Sequence, residues 1–204
     1  MEDIERLQAL ALRLLLFTRI ADGSSTPGHP VILKEIVSEA KKTFPDLRIL
    51  TEGAMDSLVV RGEKSLLISA LSNVLENIAQ YAPDAPASLQ VLSHANSRVN
   101  LIIADHGPGV PSAQRERIFD PLTRLDSARS IGESGHGFGL GLAIARSILR
   151  TFGGDVICKG RSDGKQGAEF VMSLAIFVGV QVSLKLTPEK KGWVEPGRQE
   201  AIIP

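Results

Sequence analysis

Glycine occupies every second position of Gly135-His136-Gly137-Phe138-Gly139-Leu140-Gly141-Leu142, and the run opens into a helical pattern over residues 140–152 that Gly153-Gly154 ends. Such spacing frees backbone N–H groups to face an anion at a helix N-terminus, where the dipole also favours negative charge. Purely structural needs seldom call for so many glycines ahead of a helix, so the segment reads as a phosphate-facing turn. It is neither the G-x-G-x-x-G of dinucleotide sites nor the G-x-x-x-x-G-K of P-loops, and no lysine follows the last glycine.

A turn of this kind needs a core to hold it. The 204 residues suffice for one sizeable core and a small appendage. Hydrophobic residues at 43% and charged residues at 23% exclude a wholly disordered, collagenous or coiled-coil chain. Lys+Arg 23 balances Asp+Glu 23, which removes the basic field of a general nucleic-acid binder. The one cysteine, Cys158, can form neither an internal disulfide nor a multi-cysteine zinc site, and a reducing cytoplasm suits it. The longest uncharged stretch, residues 170–184, is fifteen residues long and short of the roughly 18–20 that a membrane helix needs. The N-terminus starts acidic and shows no cleavage-site pattern after its apolar part, unlike a signal peptide. The expectation is a soluble chain with no membrane segment.

Periodicity supplies the elements. Residues 4–21 carry Ile4, Leu7, Leu10, Leu14, Phe17 and Ala21 at helical spacing, either docked on the core or pairing with another subunit through a face broadened by Leu12, Leu15 and Leu16. A second amphipathic helix follows His29-Pro30 and stops at Pro45. Residues 47–50 and 58–60 are short β-prone runs, and 63–81 reads as a long helix. Strands are expected at 88–92 and 99–104 around a polar turn at Asn96-Ser97, then a short helix capped by Ser112 and reaching about Phe119. Residues 123–137 lack apolar periodicity and read as a loop. After the helix at 140–152 come strands at 155–159 and 168–176, with 161–167 as the turn between them. Helices and strands in this order predict an α+β fold, a two-layer sandwich of a mixed or antiparallel sheet and helices.

Two further segments carry chemistry. On the helix at 63–81, Asn73, Glu76, Asn77 and Gln80 recur at i, i+3, i+4 and i+7 beside the apolar stripe Leu67, Leu71, Val74, Ile78. The polar stripe is either a solvated face or a set of amide oxygens for a hard cation bound together with phosphates and water. Ile102-Ile103-Ala104-Asp105-His106-Gly107-Pro108-Gly109 ends an apolar strand on a carboxylate. Asp105 either begins a tight turn or accepts from the exocyclic amine of a flat ring that the glycines let approach.

Taken in order, these segments resemble the ATP-binding catalytic domain of bacterial sensor histidine kinases, in the superfamily that includes gyrase, Hsp90 and MutL. The stretch Asn73 to Tyr81 is similar to the family's N box, Asp105-His106-Gly107-Pro108-Gly109 to its G1 box, Arg117-Ile118-Phe119-Asp120-Pro121-Leu122 to its F box, and Gly137 to Leu142 to its G2 box. Gly167-Ala168-Glu169-Phe170 is similar to the last glycine motif. The resemblance divides the chain into residues 1–22, like the end of a dimerisation helix, 31–176, the ATP-binding domain, and an unassigned tail, 177–204.

The resemblance implies ATP and Mg²⁺ as ligands. Asp105 would bind the adenine amine with Gly107 and Gly109 in its turn, Tyr81 would flank the ring, and Asn77 with Asn73 would hold Mg²⁺. Gly137, Gly139, Leu140, Gly141 and Leu142 would face the triphosphate. Residues 123–137 would form a lid offering Arg124 or Arg129 to phosphate, and Phe119 of the F box would join the nucleotide-binding residues. Further implied are a histidine-bearing dimerisation domain, a homodimer in the full-length protein, a response regulator, and a place in the cytoplasm or on the cytoplasmic side of a membrane-bound sensor.

Three departures accompany it. Gln80 stands where the N box usually has Lys or Arg, and Leu122 where the F box has a second aromatic. None of His29, His94, His106 or His136 has the acidic neighbour and nearby proline of the family's phosphoacceptor, so the expectation is a catalytic portion without its own acceptor. The ATPase relatives resemble one another in a Glu four residues before the Mg²⁺-binding Asn. Here Asn73 stands there and cannot take a proton, while Glu76 is about a hundred degrees around the helix and is expected to point elsewhere. A kinase acting on a histidine is therefore favoured over an ATPase, since a neutral imidazole is itself nucleophilic. The alternative is a nucleotide-binding regulatory module that signals through lid conformation and helix pairing without phosphotransfer.

Overall fold

Alternation of apolar with polar residues over 88–104 and 155–175 produces most of the sheet, and helical stripes over 33–43, 64–81 and 141–151 cover one face of it. The computed structural model describes residues 28–51, 55–83, 86–94, 97–124 and 138–177. In chain order the elements are β1 (His29–Ile32), α1 (Leu33–Thr43), β2 (Arg48–Ile49), β3 (Val59–Gly62), α2 (Lys64–Tyr81), β4 (Ser88–His94) and β5 (Arg98–Ala104). Two 3-10 turns (Ser112–Gln114 and Arg117–Phe119), α3 (Gly141–Thr151), β6 (Asp155–Gly160) and β7 (Ala168–Ala175) complete them. The helix expected at 4–21 and the tail from 178 lie outside the described residues.

Five strands form a mixed sheet in the order β2-β4-β5-β7-β6, with β2 parallel to β4 and the rest antiparallel. Register stacks Leu89, Ile103, Phe170 and Cys158 in one rung and Val91, Leu101, Met172 and Val156 in the next, all on the buried face. The helices lay their apolar stripes on that face. Leu33, Ile36, Val37 and Ala40 of α1, Leu67, Leu71, Val74 and Ile78 of α2, and Ile144, Ala145, Ile148 and Leu149 of α3 are buried in one cluster with the sheet. Fully burying such side chains contributes roughly 1.5–3 kcal/mol each, so this face dominates the fold's stability. The result is the expected α+β two-layer sandwich.

Two expectations are corrected. His29-Pro30-Val31-Ile32 is a strand, pairing antiparallel with β3 as a separate ribbon. A bridge from Val60 to Ile176, and a bond from Phe177 N to Val59 O, tie that ribbon to the end of β7. The segment after Pro111 is two 3-10 turns rather than one helix, and Ser112 lies inside the first turn with no side-chain cap. The turn starts from the carbonyl of Pro111, which accepts from Gln114 N, so backbone groups alone close it.

Candidate functional site

The polar stripe of α2, the end of β5, the start of α3 and the β6–β7 hairpin surround one cleft of about 1190 Å³. Asp105 stands in its lining because β5 ends there and β7 runs beside it. Its backbone N–H donates to Ala168 O at 3.0 Å, and its Oδ1 accepts from Gly107 N at 2.8 Å and Ala168 N at 3.1 Å. The residue is 6% exposed, and among the described residues no hydrogen bond reaches Oδ2. Oδ1 is thus committed to the fold, which leaves Oδ2 as the acceptor for a ligand.

The α2 wall brings Asn73, Asn77 and Gln80 of the polar stripe to the same cleft, with Tyr81, which the resemblance implied, beside them. Asn73 is almost fully buried, and its Nδ2 donates to Ser69 O at 2.9 Å. Its Oδ1 faces the first turn of α3, where a Cβ on Gly141 would come within 3.1 Å of it. Glu76 also borders the cleft, which corrects the expectation that it points elsewhere: the cleft mouth is wide enough to span neighbouring positions of the helix. The N-terminus of α3 has no side-chain cap, so its first amides are available to an anion.

Gly139, Gly141 and Leu142 line the cleft with Arg124. Leu122 N donates to Gly139 O at 2.9 Å, closing the neck of the segment between them. Gly139 has φ +69°, and a Cβ there would stand 2.7 Å from Thr123 O, so the neck requires glycine. Gly137 and Arg129 lie outside the described residues. Gly107, Phe119 and Leu140 are absent from the lining. Gly107 presses on the end of α2, and Phe119 and Leu140 are core residues. Arg146 lies over the Phe119 ring at 4.9 Å, donates to Glu116, and bonds Asp155 at 2.9 Å, strapping the 3-10 turns to α3 and β6.

Most of the opposite wall escaped the sequence reading, which took residues 161–167 for a turn and singled out of them only Gly167, in the last glycine motif. Arg115, Arg161, Lys165, Gln166 and Gly167 all line the cleft. The available signal was the density of charge in Arg161-Ser162-Asp163-Gly164-Lys165 just before the last glycine motif. Arg161 donates through Nη1 to Asp105 O at 2.6 Å and grips both oxygens of Asp163. That guanidinium holds the Asp163 carboxyl well below the usual range. Cys158 is no candidate nucleophile, because burial pushes its thiol up to about 12.

Residues 62–176, which include every residue lining the cleft, match the family described as Histidine kinase-, DNA gyrase B-, and HSP90-like ATPase. Sensor protein RstB of Escherichia coli (strain K12) is 34% identical over 180 residues, covering 84% of this chain and 39% of that protein. Probable sensor protein PcoS of Escherichia coli is 31% identical over 185 residues, covering 87% of this chain and 38% of that protein. The chain therefore spans about two fifths of the length of these curated relatives. Among solved structures, full-length ShkA in complex with AMPPNP shares the fold with a TM-score of 0.67 at 24% identity, over 87% of this chain and 38% of that one. The family match over more than half of the chain makes it a member of the histidine kinase-, DNA gyrase B-, and HSP90-like ATPase family.

Proposed function

We propose that the chain binds Mg²⁺-ATP in this cleft and donates the γ-phosphoryl group to a histidine on a dimerisation domain. The observation that carries the reading is Asp105, whose Oδ1 is saturated by backbone amides while the same cleft holds the amide wall of α2 and the uncapped start of α3. In this reading Oδ2 of Asp105 accepts from the adenine amine and Tyr81 flanks the ring. The first-turn amides of α3 take phosphate oxygens, with Arg124 beside them, while Gln80 supplies a neutral contact in place of a cation.

The donor set suits a hard cation. Asn73 has its NH₂ turned to Ser69 O, which leaves its carbonyl oxygen as the end nearest α3, and Asn77 lies one turn further along the wall. Among the described residues no group of three His, Cys, Asp or Glu side chains could hold a metal. Mg²⁺ would sit on Asn77 and Asn73 and complete its shell with phosphate and water. When bound it offsets the triphosphate charge, and the protein's own part is to fix the phosphates in line with an incoming imidazole.

The domain division at 1–22, 31–176 and 177–204 and a cytoplasmic setting belong to the same reading, as do homodimerisation and a response-regulator partner. Among the described residues no helix is long and apolar enough to cross a membrane. The test is incubation with Mg²⁺ and γ-labelled ATP. The chain alone should bind nucleotide and acquire no acid-labile phosphate; a separately supplied histidine-bearing helix pair should become labelled. Stable phosphohistidine on the chain itself would overturn the missing acceptor. Gln80 favours the regulatory module as a second reading, and an unlabelled cognate partner despite nucleotide binding would select it. Free phosphate is measured in parallel because Glu76 borders the cleft.

A further inference from the structure

The carboxylate assigned to the base is held by more than its own strand. Of the polar atoms of Asp105, N is bonded to Ala168 O, Oδ1 to Gly107 N and Ala168 N, and the backbone O to Arg161 Nη1 at 2.6 Å. Among the described residues, Oδ2 alone has no such partner. The contact from Arg161 differs from the rest because it comes from a side chain. That side chain is 8% exposed, yet it is anchored at its other edge: Nε and Nη2 bond Asp163 Oδ1 and Oδ2 at 2.9 and 2.6 Å. A fork gripped along one edge presents its remaining N–H in a fixed direction, which a lysine ammonium cannot do.

The turn that carries the fork is itself fixed. Glu169, 5% exposed, accepts from Ser162 N at 2.8 Å and Ser162 Oγ at 2.7 Å through Oε1. Its Oε2 lies 3.0 Å from Lys159 Nζ, close enough to pair but poorly aligned for a hydrogen bond. The space beside Asp105 O is already taken by Gly167, where a Cβ would stand 2.2 Å from that oxygen. If Arg161 were removed, the carbonyl would have a crowded, largely buried environment and no donor, and the peptide after Asp105 would turn to find one. Turning that peptide re-aims the carboxylate.

We propose that Arg161, clamped by Asp163, is a positioning residue that sets purine selectivity by holding Asp105 in the orientation that accepts the exocyclic amine. This rests on the assignment of Asp105 to the adenine amine. It adds a residue on the far hairpin that acts through Asp105 rather than by touching the base.

The test is calorimetry on the full chain with Mg²⁺ and two ligands, AMPPNP and its analogue lacking the exocyclic amine. Wild type should prefer AMPPNP by roughly tenfold or more, the worth of one buried hydrogen bond to a charged acceptor. R161Q should shrink that preference to about threefold or less while binding the amine-free analogue within about threefold of wild type. D105N should erase the preference too, and D105N/R161Q should lose no more than D105N alone. Equal loss for both ligands in R161Q would make Arg161 a general contact or a structural residue and overturn the inference, as would an undiminished preference. If wild type shows no preference, or D105N keeps it, the base-recognition reading falls and takes the inference with it. Should R161Q fail to fold, D163N carries the test, since Asp163 is exposed and its loss frees the fork. There a preference reduced at least threefold supports the clamp, and an intact one overturns it.

Discussion

Gly164 and Gly167 sit three residues apart in one hairpin, both with positive φ, +72° and +128°, yet alanine should affect them very differently. At Gly164 a Cβ would meet nothing within 4 Å, so G164A should cost only the left-handed backbone penalty, about 1–2 kcal/mol. At Gly167 the same atom would lie 2.2 Å from Asp105 O and 2.9 Å from the Arg161 side chain. G167A should therefore cost well beyond that and weaken nucleotide binding, whereas G164A should bind normally. Urea midpoints with matched nucleotide titrations check both. Asp105 and Asn77 were legible in the sequence because each belongs to a short contiguous motif with a chemical purpose. Arg161 was not, because its purpose appears only when β7 brings residue 161 beside residue 105, and no local spacing records that contact.

Between elements, carboxylates do the fastening. Glu169 fixes the β6–β7 turn, and Asp155 ties β6 to α3 through Arg146 and Arg150. Burial pushes both carboxyls up. The hydrogen bonds from Ser162 and the adjacent Lys159 ammonium at Glu169, and the bonds from Arg146, Arg150 and Val156 N to Asp155, outweigh it and leave both below their ordinary values of 4.5 and 3.8. A carboxylate depressed on folding stabilises fully above its unfolded pKa, and the gain is lost as pH falls through the folded value. Thermal unfolding should be nearly level from pH 7 to about 5 in respect of these groups and fall below that. E169Q should start about 1–3 kcal/mol lower at pH 7 and fall less steeply in acid; an unchanged acid slope would show that Glu169 does not carry the linkage. The strands and helices were mostly legible at this scale, since period 2 and period 3.6 survive in sequences such as 99–104 and 67–78. β1 was not, because a four-residue strand containing Pro30 has no periodicity of its own and exists through pairing with β3.

For the molecule as a whole, β3 receives β1 on one side and Ile176 on the other, with Val60 paired to both Val31 and Ile176. Two strand spacings of about 4.8 Å, together with an offset along β3 because Gly28 lies beside Gly62 and Phe177 beside Val59, put the points where the chain enters and leaves this unit roughly 15 Å apart. A permuted chain that joins Phe177 to Gly28 by a short Gly/Ser linker, omits 1–27 and 178–204, and opens between residues 130 and 131 should fold cooperatively. Loop closure of that length costs on the order of 1 kcal/mol, or about 2–4 °C in Tm, and a loss of cooperative unfolding would show that the outer segments are needed for the fold. The adjacency also has a mechanical meaning. A twist arriving through residue 28 is delivered to the same small ladder from which residue 177 departs, so input and output share one pivot. The cleft, at the opposite ends of α2 and α3 from that ladder, would swing as a passenger on the arm instead of being bent by it.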